Sequence, residues 1–158
     1  MKNTSLCYIE RDGCYLLLHR VKKLGDENRD KWIGVGGKFE EGEAPEDCMR
    51  REMLEETGLA PLRLAYRGIV TFVSDVWGTE YMHLFRCKDF TGELKDCDEG
   101  TLEWIEKERL FSLPIWEGDR IFLRLLDSDC PFFSLKLCYS GERLMSARLN
   151  GEELPDGM

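Results

Sequence analysis

Nowhere in the 158-residue chain do apolar residues run for anything near the roughly 20 positions that a bilayer span needs. The N-terminal MKNTSLCYIERDG holds no apolar stretch followed by small residues at a cleavage point. Neither insertion into a membrane nor export by a leader is therefore expected. No C-x-x-C pair occurs. The cysteines (Cys7, Cys14, Cys48, Cys87, Cys97, Cys130, Cys138) are odd in number and scattered, which argues against a disulfide framework and against structural zinc. They fit reduced thiols serving as small core residues in a cytoplasmic protein. Positive charge is in deficit: 22 Lys and Arg face 31 Asp and Glu, a net charge of -9. That balance opposes binding of a long nucleic acid, which needs a basic face. It does not oppose a small phosphate compound, because a divalent cation can bridge an acidic protein and an anionic ligand. Repeats, low-complexity tracts and Pro/Gly/Ser linkers are also missing. The expectation is one domain over residues 1–149, with a flexible tail at 150–158.

What is present reads as a mixture of strands and helices. SLCYIER and CYLLLHR form a hairpin pair across Asp12 and Gly13, a dipeptide suited to the positive backbone angles of a tight turn. A polar loop follows at 22–31. Further strands are expected in AYRGIVTFVS, EYMHLFRCKDF, LEWIE, FFSLKLCYS and RLMSARL, the last two joined at Gly141 and Glu142. Helices are expected over 45–57 and about 118–126. Strands on either side of a central helix predict an α/β (α+β) layered domain with a mixed sheet.

The central helix is well marked and oddly charged. Pro45 suits the first turn, Glu46 and Asp47 favour the positive end of the dipole, and Gly58 can close the helix in a left-handed conformation. At 100° per residue Met49, Met53, Leu54 and Thr57 fall on one side and Glu52, Glu55 and Glu56 gather on an adjoining arc. Like charges four apart repel by a few tenths of a kcal/mol, and Glu55 and Glu56 sit at the end of the dipole where cations belong. Residues 37–58 carry eight acids against three bases, so Arg51 offsets only part of this. A solvated acidic face is one reading. A divalent metal that neutralises the cluster is the other. The glycine-rich WIGVGGKFEEGE just upstream favours it, since Gly34, Gly36, Gly37 and Gly42 free the backbone to turn and to offer amides and carbonyls to a ligand.

GKFEEGEAPEDCMRREMLEETGL matches the Nudix box, G-x5-E-x7-R-E-U-x-E-E-x-G-U with U bulky and apolar. Gly37, Glu43, Arg51, Glu52, Met53, Glu55, Glu56, Gly58 and Leu59 are all in register. The chain is identified on these residues as a member of the Nudix hydrolases. It resembles their MutT-like branch, which acts on oxidised purine nucleoside triphosphates. Weaker likeness extends through KWIGVGGK, DEGTLEWIEKERL, LPIWEGDRIFLRLL and FFSLKLCYSGERL. The resemblance implies a Nudix-type α/β/α sandwich and hydrolysis of a phosphoanhydride with water attacking phosphorus. It further implies Mg²⁺ as cofactor, Mn²⁺ being an alternative, a small nucleotide as substrate, and a monomer or homodimer.

By the same resemblance the metal is held by Glu52, Glu55, Glu56, the Gly36 carbonyl and Glu99, while Arg51 orients the glutamates. Glu55, Glu56 and Glu99 are the candidates for general base. Glu99 in KDCDEGTLEW reads equally as a solvated loop acid. Arg20 and Lys38 are candidates for phosphate binding, or plain surface charges. Trp116 offers a face for stacking on a purine and Asp119 a hydrogen bond at the base edge; alternatively Trp116 is a core anchor and Asp119 a helix N-cap. Ile33 departs from the oxidised-purine branch, which has an asparagine after the tryptophan, so that amide contact to the base is missing. His19 and His83 read as packed or hydrogen-bonded sheet residues. ADP-ribose, a dinucleoside polyphosphate, or a sensor role without turnover are the competing functions.

Overall fold

The computed structural model describes residues 1–21 and 30–155. Residues 22–29 of the expected polar loop, and 156–158 of the expected tail, lie outside the described residues. The elements in chain order are β1 (Lys2–Arg11), β2 (Cys14–His19), β3 (Trp32–Ile33), β4 (Val35–Lys38), α1 (Pro45–Thr57), β5 (Leu59–Ser74) and β6 (Gly78–Gly92). They continue with β7 (Thr101–Glu106), α2 (Lys107–Leu110), α3 (Asp119–Leu126), β8 (Phe133–Ser140), β9 (Arg143–Leu149) and β10 (Glu152–Glu153).

The strands form one sheet in the order β10-β9-β8-β5-β6-β1-β2-β3, with β4 also paired to β1 and β7 to β2. β1·β6 and β5·β8 are parallel and the other pairs antiparallel, so the sheet is mixed, as the sequence implied. Asp12 and Gly13 both have positive φ (51° and 76°) and close the first hairpin as a two-residue turn requires. β8 and β9 meet at Gly141 and Glu142 as expected, Ser140 facing Arg143. The sequence pattern ends the domain at 149, but the ladder continues: Glu152 pairs with Leu149, and Leu154 packs on the core.

Alternation along the inner strands buries both faces of the sheet. Tyr8, Tyr15, Leu17 and Leu84 join Phe122 and Leu126 of α3 in one cluster, while Cys7, Ile9, Leu16 and Phe85 join Met49 and Met53 of α1 in the other. Helices thus cover opposite faces of a mixed sheet, which is the expected sandwich. No helix among the described residues is long and apolar enough to cross a membrane. All seven cysteines are free.

One expectation on α1 fails. Leu54 is 52% exposed, whereas the buried stripe runs through Cys48, Met49, Met53, Glu56 and Thr57. On a 100° wheel Leu54 stands roughly 100° beyond Met53, whereas Glu56 falls between Cys48 and Met49, about 20° from Met49. A carboxylate therefore occupies the middle of the apolar stripe.

Candidate active site

The approach to the site is β4. Gly36 pairs with Leu6 and Gly37 with Ser5 of β1. A Cβ on Gly36 would overlap the Ser5 carbonyl oxygen and come within 2.9 Å of the Leu6 Cα; one on Gly37 would lie 2.6 Å from both Glu52 carboxylate oxygens. These glycines are in an extended strand, so the expectation that they serve to turn the chain is corrected: they are there because nothing larger fits. Of the four, only Gly42 (φ 82°) turns the chain through the left-handed region.

From that turn the chain enters α1. Pro45 opens the helix, the Asp47 carboxylate accepts the Ala44 N–H at 2.9 Å, and Gly58 closes it at φ 81°. The helix aims Arg51 back across the β4 turn. Its Nε and Nη2 donate to the two oxygens of Glu43 at 2.7 and 3.0 Å, a bidentate pair. Nη1 donates to Glu52 at 2.7 Å and to Glu55 at 3.3 Å, and Nη2 to the Lys38 carbonyl at 2.9 Å. Hydrogen bonds from Arg51 hold the Glu43 carboxyl below its usual range. Arg51 thus binds helix, turn and strand together and fixes the Glu52 carboxylate, the geometry expected of an orienting residue.

Beyond Arg51 the site becomes dry and negative. Burial raises Glu52 above the ordinary carboxylate range despite its Arg51 bond. Glu56 is pushed up to about 9, first by burial and then by the nearby charges of Glu99 and Glu52. Its Oε2 is buried without a hydrogen-bond partner. Glu99, from the loop before β7, pairs with Arg20 at the end of β2 at 3.1 Å. Glu55 behaves differently: its side chain is 60% exposed, and it does not line the cleft.

That cleft, about 650 Å³, collects Arg20, Gly36, Lys38, Arg51, Glu52, Glu56, Glu99, Trp116 and Asp119. Every candidate metal, catalytic or substrate-binding residue named from sequence is therefore brought to one place except Glu55. Trp116 is 5% exposed and packs edge-on against Phe72 and Tyr139, so it anchors the core and lines the cleft at once. Asp119 is not the N-cap of α3. Gly118 holds that position, and Asp119 is the first helical residue, buried, with no side-chain capping bond. Burial pushes its carboxyl up to about 8, partly countered by Lys31. Ile33 also lines the cleft. His19 stacks on Trp32 at 4.3 Å, and His83 is hydrogen-bonded to Tyr66 and Asn3, as expected of sheet residues. Sequence reasoning missed Lys2, Thr4, Phe72, Glu80, Met82 and Trp77 of the lining. The alternate positions Lys2 and Thr4, and Glu80 and Met82, carry the period-2 signal of one strand face, but only the sheet order shows which face is hollow.

Among the described residues, no three His, Cys, Asp or Glu side chains converge as a ready cluster for an ion. Arg51 draws Glu52 and Glu55 towards itself, leaving Glu56 and Glu99 facing one another. The donor set still fits a hard divalent cation. It offers oxygen donors only, carboxylates and the Gly36 carbonyl, and one carboxylate oxygen is buried and lacks the partner that a buried charge needs.

A family model described as the NUDIX domain matches residues 2–126. An oxidized purine nucleoside triphosphate hydrolase from Danio rerio is 35% identical over 127 residues, 79% of each chain. An uncharacterized Nudix hydrolase from Bacillus subtilis, YvcI, is 28% identical over 160 residues, 98% of each chain. Among solved structures, the MutT protein of Bacillus halodurans superposes with a TM-score of 0.84 at 28% identity. The match covers 96% of this chain and 99% of that one.

Proposed function

This chain belongs to the Nudix family of hydrolases, and from that premise we propose that it is a magnesium-dependent pyrophosphohydrolase of purine nucleoside triphosphates. Oxidised ones such as 8-oxo-dGTP are the leading substrates, split to monophosphate and pyrophosphate. Members of the family act on small nucleotides and generally depend on a divalent metal. The observation that carries the proposal is one continuous cleft. The carboxylates of Glu56, Glu52 and Glu99 stand at one part of it, that of Glu56 buried with one oxygen unpartnered, and an aromatic and acidic pair, Trp116 and Asp119, at another. The name of the Danio rerio relative supports the oxidised-purine reading.

In this reading Glu56, Glu52, Glu99 and the Gly36 carbonyl hold Mg²⁺, with Mn²⁺ able to replace it and Glu55 joining from the helix end. When bound, the metal neutralises phosphate oxygens and lowers the pKa of water. Arg51 keeps the Glu52 carboxylate in place by sharing its guanidinium among Glu43, Glu52 and the Lys38 carbonyl. Arg20 and Lys38 supply positive charge to the phosphates. Glu56 and Glu99 face the cleft and are the better placed acceptors for the proton of an attacking water, whereas Glu55 does not line it. Asp119, neutral at pH 7 by virtue of burial, can both donate and accept at a base edge. Ile33 offers the base no amide, which favours a substrate recognised mainly through Asp119 and by stacking.

A panel of dGTP, 8-oxo-dGTP, ATP, CTP, ADP-ribose and a dinucleoside polyphosphate, read by release of pyrophosphate or phosphate, tests the proposal. Purine triphosphates are expected to be hydrolysed fastest; turnover of ADP-ribose with none of any triphosphate sinks it. Glu56→Gln is expected to keep the fold and lose about a hundredfold or more in kcat. A nucleotide sensor without turnover has no such rate to lose.

A further inference from the structure

Little of Trp116 is open to a ligand. It makes T-shaped contacts with Phe72 (centroids 5.4 Å) and Tyr139 (5.2 Å), and the Lys31 ammonium lies over its ring at 5.3 Å. Lys31 is also ion-paired with Glu142 in the β8–β9 turn. A base stacking on that face of Trp116 must first displace the cation.

A second indole lines the same cleft with none of these obstacles. Trp77 stands in the turn joining β5 to β6, is 43% exposed, and its ring has no aromatic or cation–π partner among the described residues. Its backbone, in contrast, is pinned. Ser74 Oγ accepts the N–H groups of Val76 and Trp77 at 3.0 and 2.9 Å. The Asp75 carboxylate ties the turn to the next hairpin by accepting from Ser140 Oγ at 3.1 Å and the Gly141 N–H at 2.9 Å. The register places Phe72 opposite Glu80 and Ser74 opposite Gly78. Both Phe72 and Glu80 line the cleft. At about 3.3 Å per residue, Trp77 extends that wall by roughly 10 Å beyond Phe72. A large flat apolar ring, partly exposed to water, thus lines the cleft from a fixed backbone.

The geometry points to Trp77 as the platform on which the base of the nucleotide stacks, with Trp116 as the buried floor behind it. This rests on the nucleotide reading of the cleft. Stacking accepts any base face, so Trp77 contributes affinity and leaves discrimination to edge contacts such as Asp119.

The test compares wild type, Trp77→Ala and Trp77→Phe. With the triphosphate that wild type hydrolyses best, Trp77→Ala raises KM about tenfold with kcat within about twofold, and Trp77→Phe restores KM to within about threefold. The KM effect is similar for dGTP and 8-oxo-dGTP, and inhibition by inorganic pyrophosphate is unchanged. In a second arm without turnover, GMP quenches tryptophan fluorescence in wild type and quenches it far less in Trp77→Phe. Unchanged KM and unchanged quenching overturn the assignment. So does a KM rise that pyrophosphate inhibition shares, or that phenylalanine fails to rescue, since either marks a structural role. If wild type hydrolyses no triphosphate, the pyrophosphohydrolase reading fails instead, and the quenching arm alone decides Trp77.

Discussion

Asp119 is buried at the first position of α3, with burial pushing its carboxyl from 3.8 up to about 8. Because the folded-state value lies above the unfolded one, the stability linked to this group is complete below about pH 4 and is lost as pH rises through about 8. Asp119→Asn removes that loss. The variant is predicted to melt within a degree or two of wild type at pH 4 and several degrees above it at pH 9, a difference on the order of 1 to 3 kcal/mol. Thermal melts across that range check it, and parallel curves for the two proteins contradict it. Glu56 is the companion case. Neither of these buried carboxylates is visible as such in the sequence, where each is one acid among 31. For Glu56 a signal was available: its angle on the helical wheel falls between Cys48 and Met49, about 20° from Met49. For Asp119 none was, because its burial depends on how α3 meets the sheet.

Two adjacent glycines in β4 separate stability from activity at the level of the element. A methyl on Gly36 meets the backbone of β1 at Ser5 and Leu6, which cannot yield without breaking the β1·β4 ladder. A methyl on Gly37 meets the end of the Glu52 side chain, which can move but only by giving up its Arg51 bond. Gly36→Ala is therefore predicted to cost about 2 to 4 kcal/mol. Gly37→Ala should cost less than about 1.5 kcal/mol yet lower kcat tenfold or more. Denaturant unfolding and turnover, measured on both, test this; equal stability losses contradict it. The same stretch shows the limit of reading glycines from sequence. Their abundance marked the right place, but the flexibility inferred from them belongs only to Gly42. By contrast α1 was legible to the residue, because proline, acidic first turn and closing glycine are local signals. The β3, β4 and β10 strands were missed because each is only two to four residues long and is defined by its partner.

Across the whole molecule, a net charge of -9 is concentrated where folding alone would not put it. Local repulsion on α1, the buried Oε2 of Glu56 and the mutual charge of Glu52, Glu56 and Glu99 all weigh against the metal-free fold. The sandwich tolerates them because its two apolar clusters, one on each sheet face, carry the stability. A ligand that binds only the folded state adds to it by mass action, about 2.7 kcal/mol at a hundred times its dissociation constant. The layered fold and the family were readable because periodicity and the Nudix box are sequence-local. The shape of the cleft was not, since residues as distant as Lys2, Trp77 and Asp119 share it. The most direct measurement is calorimetric titration of Mg²⁺ and Mn²⁺, each with and without a non-hydrolysable triphosphate, into wild type and Glu56→Gln. Saturable binding by wild type that is lost or weakened at least tenfold in the variant is predicted. No saturable binding under any of these conditions, or equal binding by both proteins, contradicts the account.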